Sequence, residues 1–285
     1  MVLAEFTMEI LFVKLRKGMI VSAIAAGSTL ALAPVASAAT LRITVDNLAP
    51  TNGTFLTPTW FGFHDGSFDL YDRGEPVTEG LERVAEDGIV SVLNDEFIAV
   101  GSGEVQGAVI GPTGAAGPID PGESASFEVD LDFSAASSRY FSYASMVIPS
   151  NDFFIANGNP LAHRIFDDAG NFLGADFVVT GVQVLDAGTE VNDELPENTA
   201  FFGQAAPDTG VNEGGGVELA EGLIPGGPIL SSPGFANADF TAPGYEVARF
   251  RVELVDDAAA VPEPGMVLGL LALSGLMVGR YRQQA

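Results

Sequence analysis

The chain has 285 residues, with 38 acidic side chains against 12 basic ones, a formal charge of −26 at neutral pH and no cysteine. So acidic a surface repels nucleic acid and anionic headgroups, and the missing thiols exclude disulfide bracing, cysteine nucleophiles and the common cysteine-bearing zinc sites. From Ala39 onward there is no lysine, and nine arginines face 36 acidic residues, a surface whose natural counter-charge is a cation.

Lys14, Arg16 and Lys17 precede an uncharged stretch from Met19 to Val35, and Ala36-Ser37-Ala38 supplies small residues at a cleavage site. That order predicts a secretory signal peptide over residues 1–38, cut before Ala39. Residues 39–260 then form one large domain. Leu41, Ile43 and Val45 alternate with Arg42 and Thr44, as a half-buried strand requires. Val77 to Asp87 places Leu81, Val84 and Ala85 on one helical face, with Thr78 as cap and Gly88 as stop. Ser91 to Phe97 predicts one or two further helical turns. Gly101 to Gly122, rich in Gly and Pro, reads as loop.

Phe127, Val129 and Leu131 alternate with Glu128 and Asp130 as a second half-buried strand, and Tyr140 to Ile148 is an almost continuous apolar run, expected of a strand covered on both faces. Asp167 to Asn171 reads as a tight turn between Arg164-Ile165-Phe166 and Phe172-Leu173. Phe177 to Leu185 predicts another central strand, Pro196 to Phe240 a long loop, and Ala248 to Leu254 a final alternating strand. Short strands separated by Gly, Pro and Asn predict an all-β antiparallel sandwich with one or two short helices and long loops.

The C-terminal residues 261–285 carry Pro262-Glu263-Pro264, an uncharged apolar run over 265–279, then Arg280 and Arg282. An apolar run ending in arginines enters a bilayer with its positive end on the cytoplasmic side, and its length falls short of the roughly 20 residues of a comfortable span. The tail closely resembles the PEP-CTERM sorting signal of Gram-negative bacteria. That resemblance implies a transient inner-membrane anchor cleaved by an exosortase, with the mature protein secreted or held at the cell surface and no other membrane association.

Two strands run out into acidic loops. Pro149-Ser150-Asn151-Asp152 follows Ile148, and Asp186-Ala187-Gly188-Thr189-Glu190 follows Leu185, with Asp193 and Glu194 close behind. Where such strands lie together, Asp152 and Asp186 meet at one end of the sandwich, and like charges held close repel unless a hard cation lies between them. Calcium suits oxygen ligands from irregular loops. The alternative is local, with an Asx turn or helix cap at Asp152 and a turn before Gly188 at Asp186. Asp208 to Gly214 has oxygens at alternate positions but lacks the acidic third ligand of an EF-hand loop, and reads as a turn.

The segments Leu41 to Pro50, Thr57 to Gly74, Gly80 to Phe97, Tyr140 to Ile155, Asp186 to Asp193, Phe201 to Gly210 and Asp239 to Val252 follow in order the pattern of the spondin N-terminal domain, most specifically in Ser145 to Asp152 and Asp186 to Glu190. The resemblance implies a C2-like β-sandwich with calcium on Asp152 and Asp186, and Glu190 where animal members have an aspartate. It further implies an adhesion or matrix role with extracellular polysaccharide or another cell-surface ligand as partner.

An enzyme of a different class, a surface hydrolase acting on glycan or lipid, requires a base near neutral pH, for which the chain offers only His64 and His163. Asp65 and Ser67 flank His64, but adjacent strand residues point to opposite faces and no nucleophile elbow is present. The expectation is a non-catalytic protein.

Overall fold

The computed structural model describes residues 38–114 and 116–255. The leader read over residues 1–38, Ala38 excepted, and the tail over 261–285 lie outside the described residues. Strands occupy β1 (Ala38–Asn47), β2 (Phe55–Leu56), β3 (Thr59–His64), β4 (Gly103–Val109), β5 (Ser124–Asp132), β6 (Tyr140–Ile148), β7 (Phe153–Ala156), β8 (Ala175–Thr180), β9 (Leu185–Asp186), β10 (Glu218–Leu219) and β11 (Glu246–Leu254). Helices are α1 (Glu79–Asp87), α2 (Ser91–Val100) and α3 (Pro228–Ser231).

Every paired strand is antiparallel, and the strands form two sheets: a four-stranded one in the order β5-β1-β11-β8, and a larger one in the order β10-β9-β7-β6-β3-β4 with β2 attached to β6. The protein is an all-β antiparallel sandwich. Leu41, Ile43 and Val45 of β1 and Phe250 and Val252 of β11 meet Phe61 and Phe63 of β3 and Phe141 and Tyr143 of β6 in one core. Tyr143 and Phe250 bridge the sheets with ring centroids 4.1 Å apart. The outer face of the smaller sheet is polar, with Arg42 paired to Glu128 and Arg249 to Asp176 across neighbouring strands.

Helices α1 and α2 cover the far side of the larger sheet, where Leu81, Val84, Leu93 and Phe97 pack on Trp60, Ala144 and Phe154. Both faces of β3 and β6 are therefore buried, which is why Tyr140 to Ile148 is apolar without a break. Trp60 belongs to the helix-side core and Phe63 to the sandwich core. Helix α1 starts and stops where its sequence signals stand: Thr78 Oγ1 accepts from the Leu81 N–H at 3.3 Å, and Gly88 closes the helix in the left-handed region. The Thr78 hydroxyl also donates to Glu96 of α2 at 2.7 Å. Thr78→Ala is expected to cost about 1 kcal/mol, read as a lower midpoint in urea denaturation.

Four expectations need correction, the first being the long loop over Pro196 to Phe240, which contains β10 and α3. Phe177 to Leu185 is not one central strand. Residues up to Thr180 form β8 at the edge of the smaller sheet, a 3-10 turn follows over Gly181–Gln183, and Leu185 already belongs to the larger sheet. Gln183 Oε1 accepts from the Thr180 N–H and hydroxyl at 2.9 and 3.0 Å, and this capping box turns the chain across the sandwich. Gly101 to Gly122 is not all loop, because β4 lies within it. Gly107 pairs with Phe61 and a Cβ there would press on the Phe61 ring, so in this strand glycine answers a packing need. Helix α2 continues to Val100, past the predicted Phe97.

Candidate metal centre

The turn after β6 is tied down by Ser150, whose hydroxyl donates to the Val147 carbonyl at 2.7 Å and accepts from the Phe153 N–H at 3.1 Å. Chain reversal there lays β7 against β9, pairing Phe153 with Asp186. Asp152 and Asp186 are neighbours because β7 pairs with β9; the side-by-side pairing of a strand ending at Ile148 with one ending at Leu185, from which their meeting was expected, does not occur. Asp152 is fully buried. Its Oδ2 accepts from the Thr189 N–H at 2.8 Å, the Thr189 hydroxyl at 3.1 Å and the Glu190 N–H at 3.1 Å. These donors lie more than thirty residues away, so the local Asx turn is not what holds Asp152. Its Oδ1 is buried and has no partner.

Asp186 is half-buried and does form the local turn: Oδ1 accepts from the Gly188 N–H and Oδ2 from the Asn192 amide, both at 2.8 Å. Burial first, then the neighbouring charges of Asp152 and Glu213, push its pKa up to about 7. Burial also raises Asp152, with Glu213 adding repulsion, while the three hydrogen bonds from Thr189 and Glu190 oppose the shift without cancelling it. Asp186 lines a cleft of about 710 Å³ together with Asn192, Glu213, Glu218, Glu221 and Arg73.

Glu190 is placed differently from the other two. Its N–H supports Asp152, but its carboxylate turns toward other acids. Residues 189–191 pair with 211–213 through Val191 N–H to the Val211 carbonyl at 2.8 Å and Glu213 N–H to the Thr189 carbonyl at 2.9 Å. That pairing sets Gly210 against Glu190, whose Oε1 accepts the Gly210 N–H at 2.8 Å, and a Cβ at 210 would overlap the carboxyl group. Glu86, in the last turn of α1, and Asp208 complete the group, with one oxygen of each of the three residues within 4.8 Å of the others. Burial pushes Glu190 up to about 7 and Glu86 up to about 8.

No protein-family model matches this chain, and no curated protein matches it. The chemistry must be read from the side chains themselves. The carboxylates of Asp152, Asp186 and Glu213 and the Thr189 hydroxyl offer oxygen, the donor type of a hard cation. Asp152 Oδ1 fits such an ion, because a buried carboxylate oxygen left without a donor is costly unless a positive charge completes its shell. Glu213 and Asp208, both in the segment read from sequence as a turn, and Glu86, in the helix, were not among the predicted ligands. The alternate-oxygen spacing of Asp208 to Gly214 was the one signal that pointed to that loop.

The histidine set does not assemble a nucleophile. His64 is fully buried, its Nδ1 accepts from the Gly66 N–H at 3.0 Å, and its Nε2 is 2.9 Å from Ser142 Oγ. Acceptance at Nδ1 leaves the proton of the neutral ring on Nε2, so the histidine donates to Ser142 instead of taking its proton. Burial lowers the His64 pKa to about 4 against a weaker opposing effect of Asp65. Ser67 bonds to Asp65 at 2.6 Å and takes no part in the His64 contacts.

Proposed function

We propose that this protein is an exported, non-catalytic, calcium-binding β-sandwich that helps attach or organise extracellular polysaccharide or cell surfaces. The observation that carries the reading is the buried, unpartnered Asp152 Oδ1 beside Asp186, whose pKa burial and the neighbouring acids raise to about 7. Calcium bound by Asp152 and Asp186 supplies positive charge to a group of acids near which Arg73 is the cleft's one basic side chain among the described residues. Glu213 stands near Asp186 and adds a carboxylate, while the Asn192 amide N–H orients Asp186 Oδ2. Glu190 supports the pair through its backbone N–H.

The surrounding surface is strongly acidic and repels polyanions, so a divalent ion next to an open cleft is a means of holding an anionic sugar. The predicted leader and sorting tail support an extracellular location after processing by an exosortase, and the resemblance to spondin domains supports an adhesive role. Among the described residues no helix is long and apolar enough to cross a membrane. Calorimetric titration of the chain with calcium, and with magnesium for comparison, tests the reading. We expect saturable calcium binding and a rise in unfolding temperature with calcium; no heat and no thermal shift at millimolar calcium overturns it.

A further inference from the structure

The carboxylates of Glu86, Glu190 and Asp208 are left over by that assignment, and they are out of balance. Glu86 and Glu190 are each 2% exposed, and Glu190 Oε2 is buried with no hydrogen-bond partner, in a carboxylate that belongs to this convergence. Among the described residues the only basic side chain paired with the group is Arg83, which reaches Glu86 Oε2 at 2.9 Å and also pairs with Asp87. One guanidinium thus stands among four carboxylates, those of Glu86, Asp87, Glu190 and Asp208. Glu86 gains nothing from its helix either, since an acid in the last turn faces the negative end of the dipole.

We propose that Glu86, Glu190 and Asp208 hold a second divalent cation, calcium, in a site of its own. Calcium binds oxygens at about 2.3 to 2.6 Å, so two ligands on opposite sides of one ion lie roughly 4.6 to 5.2 Å apart. The three oxygens lie within 4.8 Å of one another, close enough for one divalent ion to touch all three. Magnesium, at about 2.0 to 2.1 Å, draws its ligands closer and keeps more of its own water. Asp208 is exposed and gives the ion a path from solvent, while the two buried glutamates supply the dry side of the shell. The site shares no carboxylate with the Asp152–Asp186 pair. It adjoins that pair through Thr189, whose hydroxyl donates to Asp152 at 3.1 Å and stands beside Glu86.

The two readings stand separately and the test keeps them apart. Calcium bound per chain is counted by equilibrium dialysis and elemental analysis for the wild-type full chain, Asp208→Asn, Glu86→Gln and Asp186→Asn. Asp208 sits in the left-handed region at φ 57°, which asparagine adopts readily, so Asp208→Asn keeps the loop; Glu86→Gln leaves an oxygen for Arg83. We expect two ions in the wild type, and one ion in Asp208→Asn and Glu86→Gln, or a second ion bound at least tenfold more weakly. Asp186→Asn is expected to lose the other ion. Wild-type stoichiometry and affinity in both Asp208→Asn and Glu86→Gln overturn the second site. So does a single wild-type ion that Asp186→Asn and Asp208→Asn both abolish, because the carboxylates would then serve one shared site. Loss of an ion in Asp208→Asn with none lost in Asp186→Asn sustains this site and removes the calcium proposed on Asp152 and Asp186.

Discussion

Asp152→Asn is expected to stabilise the calcium-free protein and to destabilise the calcium-loaded one. The asparagine side chain has the same shape, and its single oxygen can still accept the Thr189 and Glu190 N–H groups that now bond to Oδ2. The substitution removes a buried charge beside Asp186 and Glu213 and replaces the orphaned Oδ1 with a donor facing carboxylates. Relief of that repulsion and desolvation is worth on the order of 1–3 kcal/mol. In calcium the balance reverses, because an ion present at a hundred times its Kd stabilises the wild type by about 2.7 kcal/mol and the variant forfeits most of that. Urea denaturation in chelator and in millimolar calcium reads both signs; a shift in the same direction under both conditions removes Asp152 from the ion's shell.

Without divalent ions, raising the pH from 6.5 to 8.5 is expected to destabilise the protein by about 2 kcal/mol. The folded-state pKa values of Asp186 and Glu190 are about 7 and that of Glu86 about 8, all raised chiefly by burial from ordinary values of 3.8 or 4.5. The unfolded chain has already lost these protons at pH 6.5, whereas the folded one still holds much of them, so stability falls as the pH climbs through the folded values. The figure allows for the partial exposure of Asp186 and for the two histidines. His64 and His163 act in the opposite sense, since burial lowers both to about 4, and they destabilise the fold as pH falls below about 6.5. Calcium favours the ionised carboxylates, so it flattens the slope above pH 6.5 and its affinity tightens across the same window. Denaturation midpoints at the two pH values with chelator and with calcium are decisive, and stability that holds level or rises with pH in chelator refutes the account.

Much of the sandwich was legible residue by residue. The alternation in β1 and β11 matches the buried Leu41, Ile43, Phe250 and Val252, and the unbroken apolar run of β6 matches a strand covered on both faces. Helix α1 was delimited by Thr78 and Gly88 because caps are local chemistry. Phe127 shows the limit of alternation: it is 43% exposed on the edge strand β5, where no further strand closes over it. The break at Gly181 was hidden because apolar residues on both sides of a crossing look like one strand. In the site, Asp152 and Asp186 could be singled out as acids beside apolar runs, but the β7–β9 pairing that joins them and the direction of the Glu190 carboxylate could not.

The sequence by itself determined the acidic character, the strand and helix periods, the caps and the two loops that carry Asp152 and Asp186, since each depends on neighbours a few residues away. The tertiary structure alone decided which carboxylates share a place. Glu86 is off the apolar stripe of its helix yet buried, its carboxylate meeting those of Glu190 and Asp208 from a distant loop, and Glu190 turns there because Gly210 leaves room and offers its N–H. Electrostatic coupling falls off over a few ångströms of space, so it follows the folded path of the chain and not the spacing of residues along it.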